Sequence, residues 1–188
     1  GHVTDHIFNF GIDEIFITVN YLKEQIEDYY KGNSLVQIVH EDIPLGTAGS
    51  ISLIDKLNQE SYLITNADIL SNISLEDLYL EHINNKADIT IASRMFQVDI
   101  PFGVINEENK VVISLKEKPT YDYYTNAGIY LVNKEILDLI PKNEFFNMTD
   151  LISLALSKGK VIMTYKMSEF WLDIGRPSEY EFAKSLKI

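Results

Sequence analysis

Two aspartates of this chain stand beside apolar runs in an arrangement that could hold a metal ion. Asp68 follows the run at residues 62–65, and Asp173 follows Trp171 and Leu172 much later in the chain. Each aspartate alone is as well explained by a local turn or a helix cap as by a ligand role. Together they could bind Mg²⁺, which takes one or two protein carboxylates and completes its octahedron with water and substrate phosphates. The pair therefore predicts magnesium-dependent chemistry on a phosphate group.

A glycine-containing segment, residues 44–50, follows a predicted strand and precedes a predicted helix. Its glycines would let a ligand approach the backbone, and the helix N-terminus would offer free N–H groups to an electronegative ligand. On this interpretation Gly46 and Thr47 contact the substrate. The alternative is a tight turn in which Thr47 caps the helix, since the segment matches neither a Walker A loop nor a dinucleotide-binding fingerprint. The sequence leaves both interpretations open.

A charged pair, Glu117 and Lys118, ends another predicted strand and is followed by Pro119. The proline would fix the turn, so that the two side chains keep their directions. A glutamate can accept hydrogen bonds from sugar hydroxyls, and a lysine can bind a phosphate as a point charge. The alternative is a solvated charge pair in a surface turn.

Further polar and glycine positions could contact the same ligand. Asn66 lies two residues before Asp68 and could add an amide contact beside it. Gly103 and Gly128 each interrupt a predicted strand, which marks either a bulge or the close approach of a ligand. Asn126, two residues before Gly128, belongs to that same environment.

The composition restricts the classes of function. The chain has 188 residues, 46% of them hydrophobic, which is enough for one well-buried core, so we expect a single domain over residues 1–188. A net charge of −12 argues against non-specific binding to nucleic acid and implies that a phosphate substrate is bound with a cation. The chain has no cysteine, which excludes thiolate catalysis. Short apolar runs and the lack of a signal-peptide pattern predict a cytoplasmic protein with no membrane partner. Assembly into a homo-oligomer is compatible with this composition.

Predicted strands and helices alternate along the first half of the chain. Strands are predicted at residues 14–19, 36–41, 62–65 and 89–92, with helices at 21–31, from about 47, and at 75–85. After residue 94 we predict a hairpin at 102–106 and 111–116, strands at 127–132 and 161–165, and helices at 134–140, 149–157 and from 177. This pattern predicts an α/β fold, a three-layer α/β/α domain whose mixed sheet is mostly parallel.

The chain starts in an unusual way for such a domain. Residues 4–10 have the pattern of the end of a helix, with Gly11 as its C-cap, and no strand precedes them. A doubly wound domain normally begins with a strand and a phosphate-binding turn. We therefore expect a domain that is truncated at its N-terminus and lacks its first strand and phosphate loop.

The order of these segments closely resembles that of the sugar-1-phosphate nucleotidyltransferases, the nucleotide-sugar pyrophosphorylases, over nearly the whole chain. The segments that carry the resemblance are residues 15–21, 44–49, 66–68, 102–104, 117–119, 126–130 and 171–177. Seven ordered matches are more specific than any one of them. Residues 143–147 and the region of Trp171 resemble guanylyltransferase-like proteins, which implies a mannose-1-phosphate or amino-sugar guanylyltransferase.

The resemblance implies a nucleotide-diphospho-sugar transferase-like fold and a role for each candidate residue. Asp68 and Asp173 would bind Mg²⁺, Glu117 would bind sugar hydroxyls, and Lys118 would bind the sugar phosphate. The Gly46 loop would lie against the base. The other candidate substrate contacts are Thr47, Asn66, Gly103 and Asn126. The implied reaction joins a nucleoside triphosphate, with GTP favoured, to a sugar 1-phosphate and releases pyrophosphate.

Two departures from the family pattern affect these expectations. The opening G-x-G-T-R loop and the lysine segment after it are absent, which implies weak or no activity for this chain alone. Ala67 stands where the family usually has glycine. Two alternatives stay open, namely a non-catalytic sugar-nucleotide-binding regulatory protein and a metal-dependent glycosyltransferase, whose Asp-x-Asp element would need an acid in place of Asn66.

Overall fold

The computed structural model describes residues 2–186. The α-helices are α1 (His2–Asn9), α2 (Lys23–Tyr30), α3 (Gly46–Gly49), α4 (Leu75–Asn84), α5 (Lys134–Leu137), α6 (Met148–Ser157) and α7 (Pro177–Ser185). The strands are β1 (Ile15–Val19), β2 (Val36–His40), β3 (Ser61–Thr65), β4 (Ile69–Ser71), β5 (Ile89–Asp99), β6 (Val104–Glu108), β7 (Val111–Lys116), β8 (Thr120–Asn133), β9 (Ile162–Lys166) and β10 (Trp171–Asp173). A 3₁₀ turn, Ser50–Leu53, follows α3. None of the helices within residues 2–186 has the length and apolar character needed to span a membrane.

The central sheet has four strands in the order β3-β8-β5-β9. β5 and β9 are parallel, whereas β8 is antiparallel to both of its neighbours, β3 and β5. Three of the four strands therefore point in one direction. This arrangement confirms the predicted α/β fold with a mixed, mostly parallel sheet.

Strand β8 separates two hydrophobic cores because its side chains alternate between the faces of the sheet. Tyr130 and Val132 belong to the core covered by α3, α5 and α6, while Ile129 and Leu131 belong to the core covered by α4. Helices thus cover both faces, as the predicted three-layer architecture requires. Each fully buried aliphatic side chain of these cores contributes about 1.5–3 kcal/mol to folding.

Strands β5 and β8 are longer than the sequence predicts. The sequence predicts that β5 stops at residue 92 and that β8 starts at residue 127. The observed ladder between them has an irregularity between Ile91 and Ser93 and then continues from Ser93↔Asn126 to Asp99↔Thr120. The added part is largely exposed, so it lacks the continuous apolar run that identifies a buried strand. It forms an arm that carries the predicted hairpin, now β6 and β7.

Strands β1 and β2 form a separate parallel pair. We call β1, β2 and the helix between them, α2, the N-terminal lobe. Within residues 2–186, β1 pairs only with β2, and β3 pairs only with β8, so each has one unpaired edge. Helix α1 precedes the lobe. Gly11, just after the end of α1, has φ +86°, as predicted for a C-cap. The expected absence of a first strand stays a prediction.

The short strands β4 and β10 were not predicted. They pair antiparallel with the register Trp171↔Ser71, Leu172↔Leu70 and Asp173↔Ile69. A strand of three residues is too short to show a periodic pattern, and only its partner identifies it. The pairing brings the residues after Thr65 next to those after Phe170.

His82 of α4 is buried and ties three elements together. Its Nε2 lies 2.9 Å from Asn133 Oδ1, and its Nδ1 lies 2.9 Å from Thr90 Oγ1. Ser61 Oγ also donates to Asn133 Oδ1, at 2.7 Å. Because an amide oxygen only accepts, Nε2 carries the proton, and Nδ1 accepts from the threonine hydroxyl when the ring is neutral.

We expect His82→Leu to lower the free energy of unfolding by about 1–3 kcal/mol, because it leaves the buried Thr90 hydroxyl without a partner and removes one of the two hydrogen bonds to Asn133 Oδ1. Urea unfolding measures the change. The exposed His2→Leu is the control and should change stability by less than about 0.5 kcal/mol. Equal effects of the two substitutions would contradict the proposed network.

Candidate active site

Asp68 and Asp173 converge where the β4–β10 ladder ends. Asp173 pairs with Ile69, and the N–H of Ile174 donates to the carbonyl of Asp68 at 2.8 Å. A Cβ atom placed on Gly175 would lie 3.0 Å from Asp173 Oδ1 and 3.1 Å from Asp68 Oδ2. The two oxygens are therefore at most about 6 Å apart, within reach of one cation after small side-chain rotations.

The chemistry of this pair fits Mg²⁺. Both aspartates are exposed, and neither is paired with a lysine or arginine among residues 2–186. Asp173 Oδ1 accepts the N–H of Gly175 at 2.8 Å, which orients the carboxylate and leaves its second oxygen available. In the described part of the chain no group of three or more His, Cys, Asp or Glu side chains could hold a metal. Two carboxylates with room for water and phosphate suit magnesium rather than a closed structural site.

A cleft of about 790 Å³ lies between the N-terminal lobe and the central sheet. Among the residues that line it are the candidate residues Gly46, Thr47, Asn66 and Asp68, together with parts of α1, β1 and α2. The volume is within the range of small-molecule sites. The structure therefore brings these four candidates to one cavity.

The Gly46 loop does not offer the free N–H groups that its sequence predicts. The amides of Ala48 and Gly49 both donate to Phe146 O at 2.9 Å, and the amide of Thr47 lies 3.4 Å from Asn147 Oδ1. These donors are satisfied by the segment that precedes α6. The prediction that the start of α3 offers free N–H groups to a ligand is therefore wrong for these three amides.

Thr47 caps a different helix from the one predicted. Its hydroxyl accepts the N–H of Met148, the first residue of α6, at 2.9 Å. Gly46 is required by packing as well, since it has φ +78° and a Cβ would lie 2.8 Å from Phe146 O. The loop is thus held against the start of α6. Only the surface of the loop that faces the cleft is left to contact a ligand.

Gly128 connects Asn66 with Asn126. Its carbonyl accepts the N–H of Asn66 and its N–H donates to Asn126 Oδ1, both at 2.9 Å. Asn126 Nδ2 also donates to the Tyr130 hydroxyl at 2.7 Å, so both ends of this amide have intramolecular partners. The side chain of Asn66 makes no hydrogen bond among residues 2–186, which leaves it the better placed of the two to contact a ligand.

Gly103, Glu117 and Lys118 form a second group at the base of the β6–β7 hairpin. A Cβ on Gly103 would lie 3.0 Å from Glu117 Oε2, so the glycine leaves room for this carboxylate. Lys118 has φ +43°, a conformation that non-glycine residues rarely adopt. The lining of the cleft includes none of the three.

An unpredicted clamp holds β10 against the main sheet. The Arg94 guanidinium lies 4.8 Å from the centre of the Trp171 ring and 3.4 Å from Trp171 O. The indole N–H of Trp171 donates to Ala127 O at 2.7 Å. Arg94 lies past the predicted end of its strand, and no sequence pattern links it to Trp171.

Glu169 fixes the loop before β10. Its Oε1 accepts from Ser74 N at 3.2 Å and from the Tyr165 hydroxyl at 3.0 Å, and its Oε2 accepts from Ser168 N at 2.7 Å. Burial raises the pKa of Glu169, but hydrogen bonds from backbone amides and Tyr165 outweigh burial and hold the pKa below its usual value. Burial, with the neighbouring Glu169 carboxylate, raises the pKa of Tyr165 to about 12, so its hydroxyl remains a donor.

Comparison with known proteins gives consistent matches along the chain. The family model for nucleotidyl transferases matches residues 1–186. The mannose-1-phosphate guanylyltransferase catalytic subunit beta of Dictyostelium discoideum is 29% identical over 191 residues, covering 95% of this chain and 53% of that protein. The D-glycero-alpha-D-manno-heptose 1-phosphate guanylyltransferase of Aneurinibacillus thermoaerophilus is 29% identical over 180 residues, covering 93% of this chain and 78% of that protein. The chain therefore spans about half the length of the first relative.

A solved structure shares the fold. HddC from Yersinia pseudotuberculosis, complexed with GMP-PN, matches with a TM-score of 0.73 and 20% sequence identity. The match covers 98% of this chain and 83% of that chain. This likeness confirms the predicted fold class.

We expect acid to weaken the fold through Glu169. Its folded pKa is below that of the unfolded chain, so the stabilisation is complete above the usual value of 4.5 and is lost as the pH falls through the folded pKa. Glu169→Gln should therefore lower stability at neutral pH and make the fall in stability below the usual pKa of 4.5 shallower. Urea unfolding at several pH values measures both effects. The exposed Glu107→Gln, whose carboxylate makes no hydrogen bond or ion pair among residues 2–186, is the control, and an unchanged pH profile for Glu169→Gln would contradict this role.

Proposed function

Because this chain belongs to the nucleotidyl transferase family, we propose that it forms the catalytic core of a sugar-1-phosphate guanylyltransferase. The observation that carries the proposal is the convergence of Asp68 and Asp173 beside a cleft of nucleotide-binding size. Within the described residues 2–186 these carboxylates have no lysine or arginine partner, and such a pair next to a cavity suits a magnesium-bound phosphate substrate.

The names of similar proteins support the choice of substrates. The two relatives compared above are guanylyltransferases that act on mannose 1-phosphate and on a heptose 1-phosphate. We therefore propose GTP as the nucleotide and a sugar 1-phosphate as the acceptor, with a GDP-sugar and pyrophosphate as products. The chain covers only part of the length of these relatives. That it has the activity named for the whole relatives is therefore part of the proposal.

The proposed reaction is a direct displacement at phosphorus. An oxygen of the sugar 1-phosphate attacks the α-phosphorus of GTP, forming a new P–O bond. The bond from this phosphorus to the oxygen that bridges to the β-phosphate breaks, and pyrophosphate leaves with that oxygen. The attacking phosphate is already ionised at neutral pH, so no general base and no covalent enzyme intermediate are required. Catalysis then depends on positioning and on stabilisation of negative charge.

Two groups of residues would share the binding of the substrates, the residues around Asp68 and Asp173 and those at the base of the β6–β7 hairpin. Asp68 and Asp173 would hold Mg²⁺, which neutralises charge on the phosphate oxygens when it is bound. Asn66 would add an amide contact beside Asp68, and the loop of Gly46 and Thr47 would lie against the base.

The second group would bind the sugar phosphate. The Lys118 ammonium would pair with the phosphate, and the Glu117 carboxylate would accept hydrogen bonds from sugar hydroxyls. Gly103 would keep room for that carboxylate, and Asn126 would position Gly128 beside Asn66. We further propose that turnover by this chain alone is weak, because it contains no G-x-G-T-R segment to bind the triphosphate.

Pyrophosphate release tests the function directly. The chain is incubated with Mg²⁺ and either mannose 1-phosphate or the heptose 1-phosphate, together with GTP, ATP, UTP or dTTP. We expect the rate of pyrophosphate release to be highest with GTP. Asp68→Asn or Asp173→Asn should lower that rate by about 100-fold or more. Asp138→Asn, an exposed change on the far end of α5, is the matched control and should leave the rate unchanged.

The alternative gives a different result. A regulatory protein would bind a GDP-sugar tightly in calorimetry and release no pyrophosphate with any substrate pair. That combination would contradict a catalytic function.

Lys118 offers a test that separates stability from substrate binding. Replacing it with glycine should raise the free energy of unfolding by about 1 kcal/mol, because glycine adopts a positive φ without steric strain. The same change should weaken binding of mannose 1-phosphate, measured by calorimetry, because the ammonium is lost. Lys86→Gly is the matched control, since Lys86 has φ +50° and lies away from the site. Equal binding by both variants would contradict a phosphate-binding role for Lys118.

A further inference from the structure

Gly175 lies between the two carboxylates of the candidate metal site. Its N–H donates to Asp173 Oδ1 at 2.8 Å. A Cβ at this position would be 3.0 Å from Asp173 Oδ1 and 3.1 Å from Asp68 Oδ2, closer than ordinary carbon–oxygen contacts. The space that a side chain would fill is therefore the space toward which both carboxylates point.

The backbone does not explain why glycine stands here. Among the glycines that the structure describes, those with positive φ are Gly11, Gly32, Gly46, Gly128 and Gly159, and Gly175 is not one of them. An alanine could adopt the backbone conformation of Gly175 without the penalty of a left-handed conformation.

The surrounding fold does not explain it either. The close contacts at Gly46 and Gly49 include backbone atoms of Glu144 and Phe146, which cannot move without disturbing the segment that leads into α6. Those at Gly175 are side-chain oxygens of two exposed aspartates. These side chains can rotate into solvent, so an added methyl group would displace the carboxylates and leave the fold intact.

We propose that Gly175 is a positioning residue for the metal, which keeps open the space between Asp68 and Asp173. This inference rests on the proposed function, because it assumes that the two aspartates bind a divalent cation. The amide of Gly175 orients Asp173, and the absence of a side chain lets Asp68 approach the same point. A methyl group would crowd both carboxylates, because its carbon would lie 3.0 Å from Asp173 Oδ1 and 3.1 Å from Asp68 Oδ2.

The test measures metal binding and stability in the same variants. Mn²⁺ alone is titrated into the chain and followed by electron paramagnetic resonance, with no nucleotide present. We expect Gly175→Ala to weaken Mn²⁺ binding by about 10-fold or more, while its Tm in metal-free buffer stays within about 2 °C of the original chain.

Gly159→Ala is the matched control, because it should give the opposite pattern. Gly159 has φ +72° and open space around its Cβ position, so alanine there is strained but touches no carboxylate. Its Tm should fall by about 2–4 °C, and its affinity for Mn²⁺ should not change.

The outcomes separate this inference from the proposed function. If the original chain shows no Mn²⁺ binding that Asp68→Asn and Asp173→Asn remove, the metal site of the proposed function is wrong. If that binding is present and Gly175→Ala retains it fully, the role of Gly175 is wrong. A Gly175→Ala chain that unfolds would also overturn the inference, since the carboxylates would then be unable to yield.

Discussion

The antiparallel ladder between β4 and β10 is the constraint on which the candidate site depends. It joins two segments that are distant in the sequence, and it ends with Asp173 opposite Ile69. Three residues on each strand provide few hydrogen bonds, so the ladder needs support from its surroundings. That support comes from the Trp171 indole on Ala127, from the Arg94 guanidinium over the ring, and from Glu169 just before the strand. Side chains outside the cleft thus determine where the second carboxylate lies.

The sequence predicts the larger elements because burial on both faces leaves a readable pattern. The apolar runs at β3 and at the buried halves of β5 and β8 identify the central sheet, and the run at β1 identifies the separate N-terminal pair. The N-cap Ser74 identifies the start of α4. The sequence does not predict the exposed extensions of β5 and β8, since partner strands rather than burial define them. It does not predict β4 and β10 either, because a strand of three residues is too short to show a period.

The candidate site was predictable to the extent that it follows from strand ends. Asp68 and Asp173 could be paired from sequence because each follows an apolar run, and the structure brings them together. The fate of the Gly46 loop could not be predicted, since its amides are satisfied by Phe146 and Asn147, a hundred residues later in the chain. Hydrogen bonds of this kind depend on tertiary packing, which local composition does not encode. The metal and substrate roles stay predictions.

The N-terminal lobe has a mechanical consequence for the cleft it borders. No strand ladder joins β1 to the main sheet within residues 2–186, and α2 has no buried residue. Contacts such as the hydrogen bond from Ser50 to Thr18, at 3.3 Å, take the place of a ladder. A small rotation of the lobe would therefore widen or narrow the cavity while every hydrogen bond of the central sheet remained in place. The wall formed by β1 is the compliant side of the cleft, and the wall that carries Asp68 is the stiff one.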